Sequence, residues 1–585
     1  SGPCGPRRAR AGGGAAAWGH ETGARARSRL PAMWSTPKKV TVEDMCGSKT
    51  LRSSLVTSNS SGSKVEIADL ETCELLGQGA YGMVHRMQEK ATGQMRVMKT
   101  VVRPDGWDDE RLKLEAELLQ NLDHPHILRI FAWYEDGDAI NIVMEHCEGG
   151  ELLKAVRRGR RAGERLPEKW VATAIRQSFE ALVYIHSKGV VHKDLKSQNI
   201  LLLQTTESAE SGKFFAIMPH VVVCDLGIAE VCCRGIFGMR GSKVAGTPAT
   251  MAPEVWKGSC GPKSDVWSMG CVMFELFTNK LPFEVTGSVT EAARQQVRWQ
   301  ELHRKGPNWG LMTSSKDAKH LCQQLLTYHE RARPTSAECL RHAWFLLSDD
   351  HVLTPAEIES LIQAIQMWKE RSPMQRAMCL KMAVGCTCIS KFARLFSKFD
   401  LDSSGVLERS ELVRALQSVG IGRAIAKNTA AALDINGDGT CEYLEFTAAC
   451  LSSLEEQFDE MLRQEFQALD VAGRDSLTPA QMAPLLAELA PLAAARGLQL
   501  ADLDADSDGV ISFSEFCGYF GRPGIQYSNE RATRGLRRSG SLPMKQHIRI
   551  MNTTGGSVED SMECIRKSME QKAPEAKRDG LKKDA

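Results

Sequence analysis

Residues with catalytic potential cluster in one polar segment that lies between two apolar runs. The segment reads His192-Lys193-Asp194-Leu195-Lys196-Ser197-Gln198-Asn199. Asp194 could accept the proton of an attacking hydroxyl, Lys196 could neutralise charge on a moving phosphoryl group, and Asn199 could hold a metal ion through its amide oxygen. These residue types are common in loops, so the inferred phosphoryl-transfer chemistry depends on partners elsewhere in the chain.

A glycine-rich segment at residues 76–84 could bring the backbone close to phosphates. Its glycines, Gly77, Gly79 and Gly82, have the spacing G-x-G-x-x-G, and glycine lacks the Cβ that would block the approach. The same spacing can also open a dinucleotide-binding fold. Here an apolar strand that ends in Lys99 follows the glycines, and this order favours a nucleotide-binding hairpin with a phosphate-pairing lysine.

Further elements must position these groups. The apolar pattern predicts a helix over 108–122, which carries Glu115 as the partner of the lysine, and a buried helix over 168–188, which leads into the polar segment. A buried strand over 221–224 ends at Asp225, where a carboxylate could bind a metal ion. All the groups could therefore converge on one site.

In this order the motifs resemble the protein kinase family over residues 70–346. The glycine loop, the lysine and the polar segment are followed by D-L-G, A-P-E and D-V-W-S-x-G, and then by Arg333. The resemblance implies a two-lobed α+β kinase fold that binds ATP and Mg²⁺ and transfers the γ-phosphate to protein Ser/Thr hydroxyls. It also implies a structural salt bridge between Glu254 of A-P-E and Arg333.

The resemblance assigns roles to individual residues. Asp194 would be the base, Lys196 would act with it and indicates a Ser/Thr preference, and Asn199 and Asp225 would hold Mg²⁺. Glu115 would hold Lys99 on the phosphates, and Met144 would be the gatekeeper of the adenine pocket. The implied ATP-binding set is Leu76, Gly77, Gln78, Gly79, Ala80, Tyr81, Gly82, Met83, Val84, Val97, Lys99, Glu115, Met144, Glu145, Cys147, Glu151 and Leu201.

Three residues depart from the family pattern. Lys193 stands where kinases often have Arg, and Leu226 replaces the usual Phe. Gln198 stands where kinases that select basic substrates often have Glu, so the preference for Arg three residues before the target Ser should be weakened. None of these residues has a chemical role in the reaction. A catalytically weak or dead kinase that acts as a calcium-sensing scaffold is therefore the less favoured alternative.

Three twelve-residue segments further along the chain resemble EF-hand calcium loops. Segments 400–411, 434–445 and 504–515 place oxygen ligands at positions 1, 3, 5 and 12 and Gly at position 6. Ca²⁺ prefers about six to eight oxygen ligands, and the glycine permits the sharp turn of the loop. The predicted Ca²⁺ ligands are Asp400, Asp402, Ser404, Val406, Glu411, Asp434, Asn436, Asp438, Thr440, Glu445, Asp504, Asp506, Asp508, Val510 and Glu515.

The spacing of these loops leaves room for a fourth copy near residue 470. Segment 470–481 fills the gap, but it has Ala472, Arg474 and Gln481 at positions 3, 5 and 12, and it lacks Gly at position 6. We expect a degenerate third hand that pairs with the fourth and binds no ion. The sequence thus predicts an all-α, calmodulin-like domain of four hands that binds three Ca²⁺ ions.

A basic and apolar segment, 347–390, separates the kinase from the hands. It carries Trp368, several methionines, Lys369 and Lys381 in the pattern of a calmodulin-target helix, although a plain linker helix has similar features. A kinase, such a segment and four hands in one chain resemble the calcium-dependent protein kinases of plants and protists. The resemblance implies an autoinhibitory junction helix that the EF-hand domain binds when Ca²⁺ is present.

Length and charge complete the domain prediction. A chain of 585 residues is too long for one core. We expect a disordered basic extension at 1–65, EF-hand pairs at 391–453 and 456–520, and a disordered basic tail at 521–585. The net charge of +2 gives no bulk attraction to nucleic acid.

Location and partners follow from weaker signals. No apolar run reaches the roughly 18 residues of a membrane span, and the 18 cysteines lack disulfide or zinc spacing, which indicates a reducing cytoplasm. Neither Met33 nor Met45 begins an N-myristoylation motif. We expect a cytoplasmic monomer whose substrates carry Ser or Thr near basic residues. A kinase regulated by separate calmodulin is a third possibility, disfavoured because a sensor is already attached.

Overall fold

The computed structural model describes most of the kinase and calcium-binding regions. The predicted extension 1–65, the tail beyond residue 522, and the site residues Ala80, Tyr81 and Glu115 lie outside the described residues. The described ranges are 70–79, 82–90, 93–102, 119–136, 139–226, 247–283, 296–348, 353–387, 389–470, 473–493 and 503–522.

A five-stranded antiparallel sheet with the order β1-β2-β3-β5-β4 forms the first lobe. The strand that carries Lys99 was predicted to end there, and that prediction is wrong. It continues to Val102 because residues 100–102 pair with residues 139–141 of the neighbouring strand. The strands are β1 Leu70–Gly79, β2 Gly82–Glu89, β3 Met95–Val102, β4 Ile130–Asp136 and β5 Ala139–Glu145.

The second lobe is mainly helical and packs around one largely buried helix, which confirms the helix predicted over 168–188. A small sheet of order β6-β7-β8 joins the hinge between the lobes to the polar segment and to the strand before Asp225. The elements are β6 Gly150–Glu151, α1 Leu152–Arg161, α2 Glu168–Ser187, β7 Ile200–Leu202, β8 Val221–Val223, α3 Pro262–Thr278, α4 Gln296–Lys305, α5 Lys316–Leu325 and α6 Ser336–Leu340.

The segment predicted as one junction helix contains two helices, α7 Pro355–Trp368 and α8 Pro373–Gly385, so that prediction is wrong. The break has a local cause. Ser372 caps α8, because its hydroxyl accepts from the Gln375 N–H while the Gln375 side chain accepts from the Ser372 N–H. Pro373 has no N–H with which to continue α7.

Both junction helices are buried in the core of the calcium-binding region. Trp368 is 1% exposed, and its indole Nε1 donates to the Ala432 carbonyl at 2.8 Å. Met378 and Leu380 are fully buried in the same core. Burying such side chains contributes about 1.5–3 kcal/mol each, so these helices are structural parts of the EF-hand domain.

The EF-hand domain consists of helix–loop–helix units joined in pairs by short strands. β9 Leu407–Glu408 pairs with β10 Thr440–Cys441, and β11 Ser476–Leu477 pairs with β12 Ile511–Ser512. The region before the fourth loop lies largely outside the described residues, so the count of four hands stays a prediction. The helices are α9 Ser390–Phe399, α10 Arg409–Ser418, α11 Arg423–Leu433, α12 Tyr443–Cys450, α13 Glu456–Leu469, α14 Pro479–Ala493 and α15 Phe513–Phe520.

The EF-hand domain docks on the kinase through the carboxyl end of α8. Arg129 donates to the carbonyls of Ala383 at 3.0 Å and Cys386 at 2.7 Å, and Arg96 donates to Gly385 at 3.0 Å. The last carbonyls of a helix have no partner within the helix and carry partial negative charge. The two kinase arginines therefore cap α8, and the catalytic aspartate and lysines take no part in these hydrogen bonds.

Candidate active site and calcium loops

The polar segment brings its three predicted functional side chains together. Asp194 Oδ1 accepts from the N–H and hydroxyl of Thr247 at 2.9 and 2.7 Å, and its Oδ2 accepts from Lys196 Nζ at 2.5 Å. Asn199 Nδ2 donates to the Asp194 carbonyl at 2.9 Å, which orients the amide oxygen as an acceptor. A carboxylate, a cation and an amide oxygen thus face one space.

Thr247 is a site residue that the sequence analysis missed. Its hydroxyl also accepts from Lys196 Nζ at 3.3 Å, so it holds the lysine and the carboxylate in one geometry. The available signal was a hydroxyl residue in Gly246-Thr247-Pro248, shortly before A-P-E. The contact joins residues 53 positions apart, which a local pattern does not reveal.

Asp265 fastens the catalytic segment to the helical lobe. Its carboxylate accepts from the backbone N–H groups of His192 and Lys193 at 2.9 and 3.0 Å and bonds His186 Nε2 at 2.8 Å. Burial opposes ionisation, but the hydrogen bond from His186 lowers the pKa of Asp265, so the anion persists. These bonds hold Lys193 at a left-handed φ of 68°, a conformation that costs about 1–3 kcal/mol.

Asp225 lies between the lobes. Lys99 Nζ donates to its Oδ1 at 2.5 Å. Burial raises the pKa of Asp225, but the Lys99 charge outweighs burial, and the pKa is lowered below its usual value. The Cys224 N–H donates to the Asn199 carbonyl at 2.9 Å, so Asn199, just before β7, and Asp225, just after β8, flank the paired ends of these two strands. Amide and carboxylate oxygens are suitable Mg²⁺ ligands, and this pair fits a magnesium site.

The glycine hairpin has the backbone that the sequence predicted. Gly79 and Gly82 pair at its tip. A Cβ at Gly82 would overlap the Thr100 carbonyl of β3, so this position requires glycine. Gly77 shows no such crowding within the described residues. The need for glycine at position 82 thus comes from packing within the sheet, and the predicted approach of the hairpin to phosphates stays a prediction.

The remaining ATP-binding candidates lie on several strands of both lobes. Those on β1 are Leu76, Gly77, Gln78 and Gly79, and those on β2 are Gly82, Met83 and Val84. Val97 and Lys99 lie on β3, Met144 and Glu145 on β5, Cys147 in the hinge, Glu151 on β6 and Leu201 on β7. The pairing of Lys99 with Glu115 stays a prediction, because Glu115 lies outside the described residues.

The expected pair of Glu254 and Arg333 is present as a buried bidentate ion pair. Arg333 Nη1 lies 2.6 Å from Glu254 Oε1, and Nη2 lies 3.1 Å from Oε2. Arg333 also donates to the Lys263 and Thr327 carbonyls. With these extra bonds the buried guanidinium is well satisfied.

The first calcium loop is partly buried. Carboxylate oxygens of Asp400, Asp402 and Glu411 all lie within 4.8 Å of one another. Burial, together with the nearby Asp402 and Glu411 charges, raises the pKa of Asp400 to about 8. A divalent cation would relieve this repulsion, so the donor set fits Ca²⁺.

The second and fourth loops have the same construction. Burial raises the pKa of Glu445 to about 8 in the second loop. In the fourth loop, carboxylate oxygens of Asp504, Asp506 and Asp508 cluster within 4.8 Å. Gly439 and Gly509 have left-handed φ values of 94° and 87° at position 6, as the EF-hand turn requires.

The third loop is closed by its own hydrogen bonds. Gln481 occupies the position of the ligand glutamate, but its side chain accepts from Thr478 and donates to the Leu469 carbonyl at 3.1 Å. Asp475, in place of glycine, adopts a φ of 53°. Arg474 adds a positive charge at a ligand position. These residues do not fit a calcium ion.

The first calcium loop contacts the kinase directly. A Cβ at Gly405 would overlap the rings of Tyr184 and His124, so the loop backbone packs on both kinase side chains. Those two rings stack with their centroids 5.1 Å apart. A loop that is predicted to bind Ca²⁺ thus forms part of the interface between the two domains.

Two polar contacts flank this packing. Ser390 Oγ lies 2.8 Å from His220 Nδ1, and the Leu444 N–H donates to Asp123 Oδ2 at 2.5 Å. The first and second hands therefore both contact the kinase. Local sequence patterns gave no signal for these contacts, since they link residues at least 170 positions apart.

The comparisons with known proteins agree with the two-part structure. The protein kinase domain family matches residues 70–345, and the EF hand family matches residues 392–416 and 499–516. Calcium-dependent protein kinase 9 of Oryza sativa subsp. japonica is 30% identical over 495 residues, which are 80% of this chain and 81% of that protein.

Two further relatives share this arrangement. Calcium-dependent protein kinase 5 of Plasmodium falciparum is 29% identical over 75% of this chain and 76% of its own length. Calcium-dependent protein kinase 22 of Arabidopsis thaliana is 27% identical over 81% of this chain and 95% of its own length.

Fold and site together define a Ser/Thr protein kinase joined to EF hands. The chain belongs to the calcium-dependent protein kinase family, and the predicted α+β kinase fold with an EF-hand domain is confirmed. No described helix is both long enough and apolar enough to cross a bilayer.

Proposed function

We propose that the chain is a calcium-activated kinase in which Asp194 takes the proton of the substrate hydroxyl. Its Oδ1 is held by Thr247 and its Oδ2 by Lys196. These bonds fix the direction of the carboxylate, and Lys196 places a cation where charge develops on the phosphoryl group. This Asp194 geometry is the observation that carries the proposal.

Asn199 and Asp225 would hold Mg²⁺, which would neutralise charge on the phosphates when bound. Lys99 would pair with the α and β phosphates once it leaves Asp225. The glycine hairpin would cover the phosphates, and the gatekeeper Met144 would border the adenine. Each role rests on the placement of these residues between the lobes.

The Asp194→Asn variant tests the catalytic assignment. We expect phosphate transfer to a Ser peptide to fall by about 10²–10⁴, with ATP and Ca²⁺ binding retained. Asp317→Asn, a change at an exposed aspartate of the helical lobe, should have the parent rate. A parent that binds Ca²⁺ but transfers no phosphate would instead establish the calcium-sensing scaffold.

We propose three calcium sites per chain, in the first, second and fourth loops. The carboxylate sets of the first and fourth loops support this number, as does the buried Glu445 of the second. The internal hydrogen bonds of Gln481 argue against an ion in the third.

We propose that the described arrangement of the junction is the released, calcium-activated one. Lys381, which could otherwise imitate a substrate cation, lies 3.2 Å from Glu465 and is 12% exposed. Without Ca²⁺ the hands would lose their hold on α7 and α8, and the segment could then block the cleft. Ca²⁺ opens sensor hands and exposes an apolar groove in which Trp368 and the methionines can be buried.

A chain that ends at Ser348 tests the direction of control. If the segment inhibits, the truncated kinase is active in chelator, whereas the full chain is not. A folded but inactive truncated kinase would show that the docked hands brace the kinase through Arg96 and Arg129. The kinase has its own buried core, so a folded fragment is expected.

We propose protein substrates whose selection by nearby basic residues is weak. Glu151 could attract a substrate arginine, but Lys154 already lies 2.5 Å from it, and Gln198 is uncharged. We also propose a monomer, because the junction helices bind the hands of their own chain. The cysteines within the described ranges are free thiols, which supports a reducing cytoplasm.

A further inference from the structure

Helix α1 is strongly basic and has no part in the proposed chemistry. Its ten residues, Leu152–Arg161, include five cations and no acid. The helix is held in place by its apolar face, which includes the fully buried Leu152 and Val156. The positive charges therefore lie on the remaining face and sides, on a rigid element.

Two of the five cations serve the fold. Arg157 Nε donates to Asn279 at 2.7 Å, and Arg160 donates to the Leu276 and Phe277 carbonyls at 2.7 and 2.9 Å. These bonds fasten α1 to the end of α3. Replacing either arginine would disturb the packing of the lobe.

The other three cations, Lys154, Arg158 and Arg161, form what we call the basic stripe. All three are exposed, and their spacing of four and three residues places them on one helical face. Lys154 lies near Glu151, and Arg158 lies 3.4 Å from the Gly149 carbonyl. Lys154 shares its charge with Glu151, so the charge available to a partner is carried mainly by Arg158 and Arg161.

The stripe lies beside the catalytic segment. Helix α1 begins directly after Glu151, which pairs with Leu201 on the strand that follows Asn199. From the other side, Glu275 accepts from Ser197 of the catalytic segment at 2.8 Å and lies 3.4 Å from Arg157. A protein segment bound near Asp194 would therefore pass close to α1.

The acids on this side of the cleft are largely neutralised by the chain itself. Glu151 forms an ion pair with Lys154. The side chain of Glu275, which is 9% exposed, forms an ion pair with Arg157 and accepts a hydrogen bond from Ser197. The exposed Gln198 carries no charge. The local field on a substrate is therefore positive, and such a field attracts acidic segments.

Helix electrostatics alone do not account for the stripe. Arg158 and Arg161 lie in the last turn, where cations interact well with the helix dipole. Lys154 lies in the first turn, where a cation is unfavourable, and its ion pair with Glu151 offsets this cost. Neither effect neutralises the exposed guanidinium groups of Arg158 and Arg161, which can still pair with an external anion.

We infer that the basic stripe is a docking surface for acidic segments of the proteins that this kinase phosphorylates. The inference rests on the proposed kinase activity and names the chemistry of its substrates. Acidic residues of the substrate that lie near its target hydroxyl, but do not contact Glu151, would pair with Lys154, Arg158 and Arg161. The contacts are solvent-exposed, so the effect should appear in KM and be weakened by salt.

Steady-state kinetics of the full chain in saturating Ca²⁺ tests the inference. The substrates are a neutral Ser peptide and versions with four glutamates before the Ser, four after it, or four arginines before it. We expect one glutamate version to have a KM about fivefold to tenfold below that of the neutral peptide, with kcat unchanged. The advantage should disappear in about 0.5 M salt.

The stripe variant Lys154→Gln/Arg158→Gln/Arg161→Gln should lose this advantage and retain its activity on the neutral peptide. The matched control is Arg304→Gln/Lys305→Gln/Lys316→Gln, three exposed cations elsewhere on the helical lobe, and it should behave as the parent. Thermal melting of both variants checks the fold.

Three results would overturn the inference. The parent could treat acidic and neutral peptides alike, or the stripe variant could keep the acidic preference. The stripe variant could also lose only its sedimentation with phosphatidylserine vesicles, which would make a lipid surface the partner. If no peptide is phosphorylated, neutral included, the proposed kinase activity itself fails, which is a distinguishable outcome.

Discussion

The first and fourth calcium loops have nearly the same ligand pattern but different surroundings. Asp400 of the first loop is 8% exposed, and Gly405 packs on the rings of Tyr184 and His124. The corresponding Gly509 has no neighbour near its missing Cβ among the described residues. The first loop is thus part of the kinase interface, whereas the fourth shows no such packing at Gly509 among the described residues.

The pKa values of the glutamates at position 12 of the two loops are shifted in opposite directions. Burial raises the pKa of Glu411 in the first loop. In the fourth loop, slight burial opposes ionisation of Glu515, but hydrogen bonds from Ser512 lower its pKa. A nearly identical motif can therefore have a different energetic role, and we expect Ca²⁺ in the first loop to control docking more than Ca²⁺ in the fourth.

We expect the largest effect from removing calcium ligands in the first and second hands, the two that contact the kinase. Glu411→Gln with Glu445→Gln removes a ligand carboxylate from each of the two hands that contact the kinase. We expect the Ca²⁺ concentration for half-maximal activity to rise by about a hundredfold, because ligand charge sets EF-hand affinity. Glu515→Gln in the fourth loop should shift it by about threefold or less. Equal shifts would remove the distinction between the loops.

A second pair of variants isolates the contact from ion binding. Alanine at a left-handed φ costs about 1–2 kcal/mol, which applies to Gly405→Ala and Gly509→Ala alike. Only Gly405→Ala also collides with the kinase, and such overpacking costs about 1–3 kcal/mol more. Calcium activation should therefore be impaired far more by Gly405→Ala, as measured by peptide phosphorylation across a Ca²⁺ titration. Similar impairment in both variants would contradict the direct contact.

Acid should weaken the same interface. Burial lowers the pKa of His220 to about 4, and the residue is neutral in the docked state. Its contribution is complete above about pH 6.5 and is lost as pH falls towards 4. Relative to a fully solvated His220 with its usual pKa, the loss at pH 5 is about 2 kcal/mol.

Calorimetry at pH 7 and pH 5 checks this expectation. His220→Gln should reduce the pH dependence of unfolding of the EF-hand domain. The control is His303→Gln, since burial also lowers the pKa of His303 to about 4 but this residue lies in the aromatic core of the kinase. A parent whose EF-hand transition is equally stable at both pH values would be at odds with the account.

The smallest expected effect concerns the third loop. Asp470→Asn should leave the number of bound Ca²⁺ ions unchanged at the proposed three, because Gln481 and Arg474 are unsuited to binding a fourth ion. Native mass spectrometry of the parent and the variant gives the count directly. A fourth ion in the parent that is absent from the variant would show that this hand is functional.

Motif spacing predicted the chemistry of the molecule well. The catalytic loop, the strand before Asp225 and the calcium loops are local patterns, because each function needs particular residue types at fixed separations. The break at Pro373 also had a local signal, the sequence Ser372-Pro373-Met374-Gln375, which is typical of a capped helix start. Its significance was hidden by the basic and apolar pattern that runs across it.

The contacts between domains could not be predicted in the same way. Arg129 meets the Ala383 carbonyl across 254 positions of sequence, and the packing of Gly405 on Tyr184 follows from tertiary structure alone. An arginine in a kinase lobe and a glycine in a calcium loop each have an adequate local explanation. Only the three-dimensional arrangement shows that they have a second role.

The most direct test of the account is transfer of labelled phosphate from ATP to a Ser peptide by the full chain, first with Ca²⁺ and then after addition of chelator. We predict a rate at least about tenfold higher with Ca²⁺, reversed by chelator and absent in Asp194→Asn. Equal rates with Ca²⁺ and chelator would contradict calcium control, and phosphate transfer by Asp194→Asn at the parent rate would contradict the catalytic mechanism.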